Sequence, residues 1–202
     1  MVVTVSNEYG SGALEVARRV AGRLGYEYVD EQLPVVVAKR LRVKRESVDA
    51  NEDAKRSLGE RFLTVLERAT PELAALTTEP FDEEMLRAVR DAVREYASRG
   101  NVVVVGRGAA AILGARPEVL RVFIHAPRQW RIARLAEATG TRRETAEAEV
   151  DRVDRARAEY LRVWYGLTFG DPRNYDLCIE ASQFDAAGCA ALIVAAVRAR
   201  GN

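Results

Sequence analysis

Near the start of the chain a β-branched run, Val2-Val-Thr-Val5, passes through a short turn bearing Gly10 and Gly12 straight into an amphipathic stretch from Ala13 to Leu24. That order leaves few folds open. The run predicts a strand in a parallel sheet, the turn sits at its C-terminal edge, and a helix crosses back over the sheet by a right-handed connection. A glycine-bearing turn that opens a helix is also the layout of a phosphate-binding loop, where bare backbone N–H groups and the positive helix end face an anion. Set against G-x-x-x-x-G-K-[ST], the first position is Asn7 and the final glycine is Gly12. The lysine position holds Ala13, and the Mg²⁺-binding hydroxyl position holds Leu14. The loop has the shape and lacks both reactive side chains.

Four further β-rich runs, at residues 26–29, 102–105, 121–125 and 176–180, predict strands. Those at 26–29 and 102–105 alternate poorly or not at all, as strands covered on both faces do. Helical spacing lies between the runs. Ala13, Val16, Ala17, Val20, Ala21 and Leu24 form one apolar stripe, with Arg18, Arg19 and Arg23 on the other side. Leu86, Val89, Val93 and Tyr96 form another, after Asp82 as N-cap and ending at Gly100; Asp185 caps an Ala-rich C-terminal helix. Strands separated by helices predict an α/β three-layer sandwich around a five-stranded parallel sheet, with residues 2–5 as its central strand.

Two stretches break this rhythm. Residues 31–80 contain no convincing strand and carry helical runs. Residues 128–165 are helical and arginine-dense, with Thr141-Arg-Arg-Glu144 readable as a capping box. Both follow strands whose C-terminal ends lie near the glycine loop, so they are expected to be mobile covers over that edge, an acceptor-side insertion and a lid. The alternative is a pair of extra surface helical segments. No interdomain linker intervenes, and 202 residues suit one domain spanning 1–202.

Hydrophobic content of 48% and charged content of 30% describe a soluble globular chain. A net charge of +1 supplies no global field to recruit nucleic acid or membrane, which disfavours an arginine-rich nucleic-acid-binding module. Cys178 and Cys189 lie in apolar runs and read as buried reduced thiols, and a single His125 makes a zinc site improbable. With no leader-like or membrane-spanning run, a cytoplasmic location is expected.

Six motifs then stand in a telling order: Ser6-Asn-Glu-Tyr-Gly-Ser-Gly12, Leu24-Gly-Tyr-Glu-Tyr-Val-Asp30, Val105-Gly-Arg-Gly-Ala109, Val122-Phe-Ile-His-Ala-Pro127, Asp154-Arg-Ala-Arg-Ala-Glu-Tyr160 and Asn174-Tyr-Asp-Leu177. Over nearly its full length the chain resembles the cytidylate kinase-like family of P-loop proteins. The resemblance implies a P-loop NTPase fold of the nucleoside monophosphate kinase type with helical insertions. It further implies phosphoryl transfer from ATP, with Mg²⁺, to CMP or a related small acceptor. The family's usual loop reads closer to Glu-Tyr-Gly-Ser-Gly-Gly-Arg-Glu, so Ala13-Leu14 departs from it. Fold is not activity. The same departure suits a catalytically silent nucleotide-binding regulator, and a homodimer through residues 31–80 stays open.

Within this frame the residue chemistry is specific. The loop of Asn7, Glu8, Tyr9, Gly10, Ser11, Gly12 and Ala13 is expected to present backbone donors to phosphate, with glycines allowing close approach and Ser11 able to add a hydroxyl. Arg131 and Arg134 share a helix face after Ala126-Pro127. The resemblance places cover arginines there that reach the donor's phosphates, and such charges can stand in for a loop lysine as catalytic contacts. Asp30 ends the second strand; the resemblance sets it beside the incoming nucleotide and the metal region, where as a catalytic carboxylate it can hold Mg²⁺ through water or orient the accepting phosphate, while its residue type equally suits an N-cap. Arg107 matches the arginine of the family's Gly-Arg-Asp motif, which grips the acceptor's phosphate, and Gly108 replaces the aspartate. Asp154 and Arg157, on one helix face, match the cover pair that contacts the pyrimidine and its phosphate, with Asp154 able to accept from cytosine's amine. A solvated pairing of Asp154 with Arg152 or Arg155 is the alternative. Arg142 and Arg143 read as surface charge, Trp130, Tyr160, Trp164, Tyr165 and Phe169 as anchors of the lid, and His125 as structural.

Overall fold

Four consecutive valines, Val102–Val105, form one strand, and the pleat sends them alternately into two separate cores. The structure, a computed structural model, describes residues 1–30 and 83–201. The expected insertion at 31–80, its dimer interface and the Asp82 cap lie outside the described residues. In chain order the elements are β1 (Val2–Asn7), α1 (Ala13–Leu24), β2 (Glu27–Val29), α2 (Glu83–Arg99), β3 (Val102–Val105) and α3 (Ala109–Leu113). They continue with β4 (Val119–His125), α4 (Arg128–Thr139), α5 (Arg143–Tyr165), a 3₁₀ turn at Pro172–Asn174, β5 (Leu177–Glu180) and α6 (Ala186–Arg200).

The sheet runs β2-β3-β1-β4-β5 with every pair parallel. Val3 lies opposite Val103 on one side and Leu120 on the other, so β1 is central as the sequence predicts. Val3, Val5, Val103 and Val105 pack beneath α1 and α6 through Val16, Val20, Ile193 and Val197. Val2, Val102 and Val104 face the opposite way, onto Val89 and Val93 of α2, Ile112 of α3 and Tyr160 of α5. Each buried aliphatic side chain contributes about 1.5–3 kcal/mol, and the two cores make three layers. Asp185 caps α6 as expected, accepting from the Gly188 N–H at 2.7 Å.

Two expectations are corrected. Thr141 does not open a capping box: α5 begins at Arg143, its N-cap Arg142 makes no side-chain cap, and the Thr141 hydroxyl is hydrogen-bonded to that of Thr139 at 2.8 Å. Cys189 is buried but Cys178 is exposed, because the β5 pleat turns it away from the core that takes Ile179.

The N-terminal ends of the last strands are fastened by charge. Asp176 takes two hydrogen bonds from the Arg121 guanidinium, at 2.8 and 3.2 Å, and one from the Arg121 N–H, with Arg200 Nη2 3.2 Å away. The Arg121 guanidinium holds the Asp176 carboxyl down at about 2.

Candidate active site

The glycine turn lies where the sequence puts it, at the C-terminal edge of the central strand. Gly10 and Gly12 both have φ of +81°, a left-handed conformation that side-chain-bearing residues adopt at a cost. Both are also pressed by α4. A Cβ on Gly10 would lie 3.0 Å from the Arg131 carbonyl, and one on Gly12 would lie 2.9 Å from Arg134 Nη2. Gly12 is the N-cap of α1 and gives no side-chain cap. The first N–H groups of α1 therefore have no intrahelical partner and face the turn, as an anion site requires. Ser11 is 2% exposed, and its hydroxyl has no hydrogen-bond partner among the described residues.

The two cover arginines divide. Arg134 is half-exposed, lies across Gly12, stacks on Trp130 and stands 3.5 Å from Glu15. Arg131 is buried, and its guanidinium turns into the protein. Nε donates to the Ala126 carbonyl at 3.0 Å and lies 3.2 Å from Glu8 Oε2; Nη1 donates to the Tyr9 carbonyl at 2.8 Å and to Asp154 Oδ2 at 2.6 Å. Asp154 Oδ1 accepts from the Tyr9 N–H at 2.9 Å, and Glu8 Oε2 accepts from the Ala126 N–H at 3.1 Å. Asp154 thus pairs with Arg131 rather than with Arg152 or Arg155. Arg152 instead binds Glu149.

Tyr9 plugs the lid. Its ring packs with Ile132, Leu135, Ala146 and Val150 between α4 and α5, and Arg157 lies 5.8 Å above it. Burial raises the Tyr9 phenol above its ordinary value, with Glu149 adding to the rise. Arg157 also donates to the Asn7 carbonyl at 2.6 Å, bringing α5 down onto the end of β1.

Arg107 occupies a turn in which the Ala109 N–H donates to the Gly106 carbonyl at 3.0 Å. Arg107 and Gly108, the central residues, have φ of +59° and +66°, the pattern of a type I′ turn. A non-glycine residue there stores about 1–3 kcal/mol, a cost that clusters at functional sites. A Cβ on Gly108 would lie 3.1 Å from the rings of both Tyr160 and Tyr165, so these tyrosines occupy the space an aspartate side chain would need. Ser6, Asn7, Gly106, Gly108, Arg157, Leu161 and Phe169 enclose a crevice of about 20 Å³, room for roughly one water.

Asp30 stands on the same edge but two strands from β1, about 10 Å at ordinary strand spacing. One of its oxygens accepts from the Tyr28 hydroxyl at 3.2 Å. Burial and the Asp30 charge raise the Tyr28 phenol. Of the aromatic anchors, Tyr160 is buried against the α2 core with Trp164 and Tyr165 beside it, and Trp130 instead serves Arg134. Arg142 and Arg143 are exposed, and His125 stacks on Phe123. Glu8 was legible only as a loop member. Its partner Arg131 is fixed by the packing of α4, which no local spacing reports.

Comparisons with known proteins agree with this fold. The sequence profile of the cytidylate kinase-like family matches residues 2–183. The cytidylate kinase of Methanothrix thermoacetophila is 25% identical over 199 residues, covering 98% of this chain and 99% of that protein. An uncharacterized protein from Eubacterium ventriosum has a similar crystal structure, with a TM-score of 0.69 at 19% identity and 98% coverage of both chains. Shikimate kinase from Acinetobacter baumannii, solved with shikimate, is similar in fold, with a TM-score of 0.52 at 15% identity, covering 98% of this chain and 93% of that one. Among the described residues no helix is long and apolar enough to cross a membrane.

Proposed function

The chain belongs to the cytidylate kinase-like family, and from that premise we propose that it transfers a phosphoryl group from ATP to CMP or a related small acceptor. The observation that carries this reading is the glycine loop itself. It opens α1 without a side-chain cap, with Arg134 across it and Arg157 at the adjoining crevice, which is lined by Gly106 and Gly108 on either side of the buried Arg107. Loop N–H groups and the α1 terminus receive the donor's phosphates. Among the described residues Arg134 is the half-exposed cation that lies against Gly12, and it offsets charge on the transferring group. Arg107 and Arg157 suit the acceptor's phosphate, because a guanidinium fork matches its oxygens. That phosphate is already ionised, so alignment and charge neutralisation carry the rate and no general base is needed.

Mg²⁺ takes few protein ligands and arrives with phosphates, where it bridges and neutralises their oxygens. Leu14 removes the loop hydroxyl, and Glu8 is engaged by Arg131. Among the described residues Asp30 is a carboxylate on this edge that keeps lone pairs for a water-mediated contact. Both oxygens of Asp154 are engaged by the loop and Arg131, so its carboxylate is held on the loop rather than presented to a base.

One observation favours a second reading, a silent nucleotide-binding regulator: Ala13 and Leu14 bring no reactive group, and Leu14 is exposed at the mouth of α1. A turnover panel with ATP and CMP, dCMP, UMP, AMP or no acceptor separates the two. The kinase reading predicts acceptor-dependent ADP formation that Arg107→Ala abolishes. Background turnover with every acceptor, beside measurable nucleotide binding, supports the regulator; in that case Ala13→Lys with Leu14→Ser is expected to raise turnover.

A further inference from the structure

The hydrogen bonds around Arg131 close a circuit that the phosphate loop cannot make by itself. The guanidinium holds the Tyr9 carbonyl, Asp154 holds the Tyr9 N–H, and Arg131 and Asp154 hold each other. Both polar groups of one loop peptide unit's central residue are thus fixed by side chains from two lid helices. A second limb runs through Glu8, whose carboxylate takes the Ala126 N–H and faces Arg131 Nε. The charges balance locally: Glu8 and Asp154 are negative, Arg131 and the neighbouring Arg157 positive. Burial makes the circuit costly to break in part, because removing one ion strands its partner in a low-dielectric site.

We propose that Arg131 is a positioning residue: with Glu8 and Asp154 it forms an ionic clasp that fixes the main chain of the phosphate loop at Tyr9 from outside the loop. The proposal rests on the phosphotransferase reading for its purpose, and on geometry alone for its existence. It separates two roles that the sequence assigns jointly to the cover arginines. Arg131 has three hydrogen-bond acceptors and a second ion-pair partner, Glu8, inside the protein and shapes the loop, whereas Arg134 lies over Gly12 and is available to a ligand. Asp154, by the same geometry, acts on the loop through Tyr9 and Arg131.

The test is a double-mutant cycle of wild type, Arg131→Ala, Asp154→Ala and the double variant, read in two ways. Amide hydrogen exchange reports the clasp directly. Tyr9 exchange is expected to accelerate at least about tenfold in Arg131→Ala, although the acceptor of that N–H remains, and no further in the double variant, while Val103 stays protected. Calorimetric titration with ATP reports its purpose. Each single variant is expected to lose about tenfold in affinity and the double variant no more than the worse single. Unchanged Tyr9 protection in Arg131→Ala overturns the clasp. Losses in ATP affinity that multiply overturn the positioning role, because a direct phosphate contact acts independently of Asp154. Should Arg131→Ala fail to fold, Asp154→Asn keeps an acceptor for Tyr9 and loosens only the ion pair; it is expected to give an intermediate acceleration, and wild-type protection there overturns the clasp. If the wild type binds no ATP, the functional reading falls and Tyr9 exchange still decides the clasp.

Discussion

Gly12 meets two demands at once: a left-handed φ of +81° and contact with the Arg134 guanidinium. A methyl group there touches the flexible end of Arg134, which can move aside, so the stability cost of Gly12→Ala comes from the backbone, about 1–2 kcal/mol. Denaturant titration should show that loss, and the displaced arginine should lower turnover beyond it; unchanged stability would contradict the left-handed assignment. The glycines were legible because backbone conformation leaves a mark on residue type. Arg131 and Arg134 were legible only as a pair. They share a helix face by spacing, yet α4 is wedged between the loop and α5, so one guanidinium is enclosed and the other lies outside. Nothing within a few residues of either distinguishes them. The pairing of Arg131 with Asp154, 23 residues on, is a property of how two lid helices meet.

At the scale of elements, the fastening of β5 to β4 is electrostatic and therefore titrates. Asp176 falls from an ordinary 3.8 to about 2 in the folded protein. A depressed carboxyl contributes stability that is fully present above the unfolded value and lost as pH falls through the folded one, here between about 4 and 2. The shift corresponds to about 2 kcal/mol at most. Asp176→Asn is expected to melt below wild type at neutral pH, with the gap closing as the pH is lowered through this window. A gap that persists undiminished at pH 2 would assign the fastening to something other than the carboxylate. The valine runs and the Asp185 cap were readable because pleat, burial and capping act locally. The Thr141 box was not, since the helix starts one residue later with Arg142 at its N-cap, and Cys178 was misplaced because a run of apolar residues does not say which sheet face is covered.

Across the described residues, α4 and α5 pack down onto the glycine loop. The crevice beneath Arg157 measures about 20 Å³, against roughly 300–1,000 Å³ for a small-ligand pocket, so on the proposed function α5 would have to move outward to admit an acceptor there. Such a movement would part Asp154 from Tyr9 and Arg157 from Asn7, and would join acceptor entry to the state of the phosphate loop. The account therefore turns on whether a loop with alanine in the lysine position still engages polyphosphate, with Arg134 supplying the charge. Calorimetric titration of ATP into wild type and Arg134→Ala measures this most directly. Binding at millimolar concentration or tighter is predicted for the wild type, weakened about tenfold to a hundredfold in the variant at an unchanged melting temperature, the range of a charge-assisted contact worth roughly 1.5–3 kcal/mol. Absence of wild-type binding at millimolar ATP, or equal affinity in the two proteins, would contradict it.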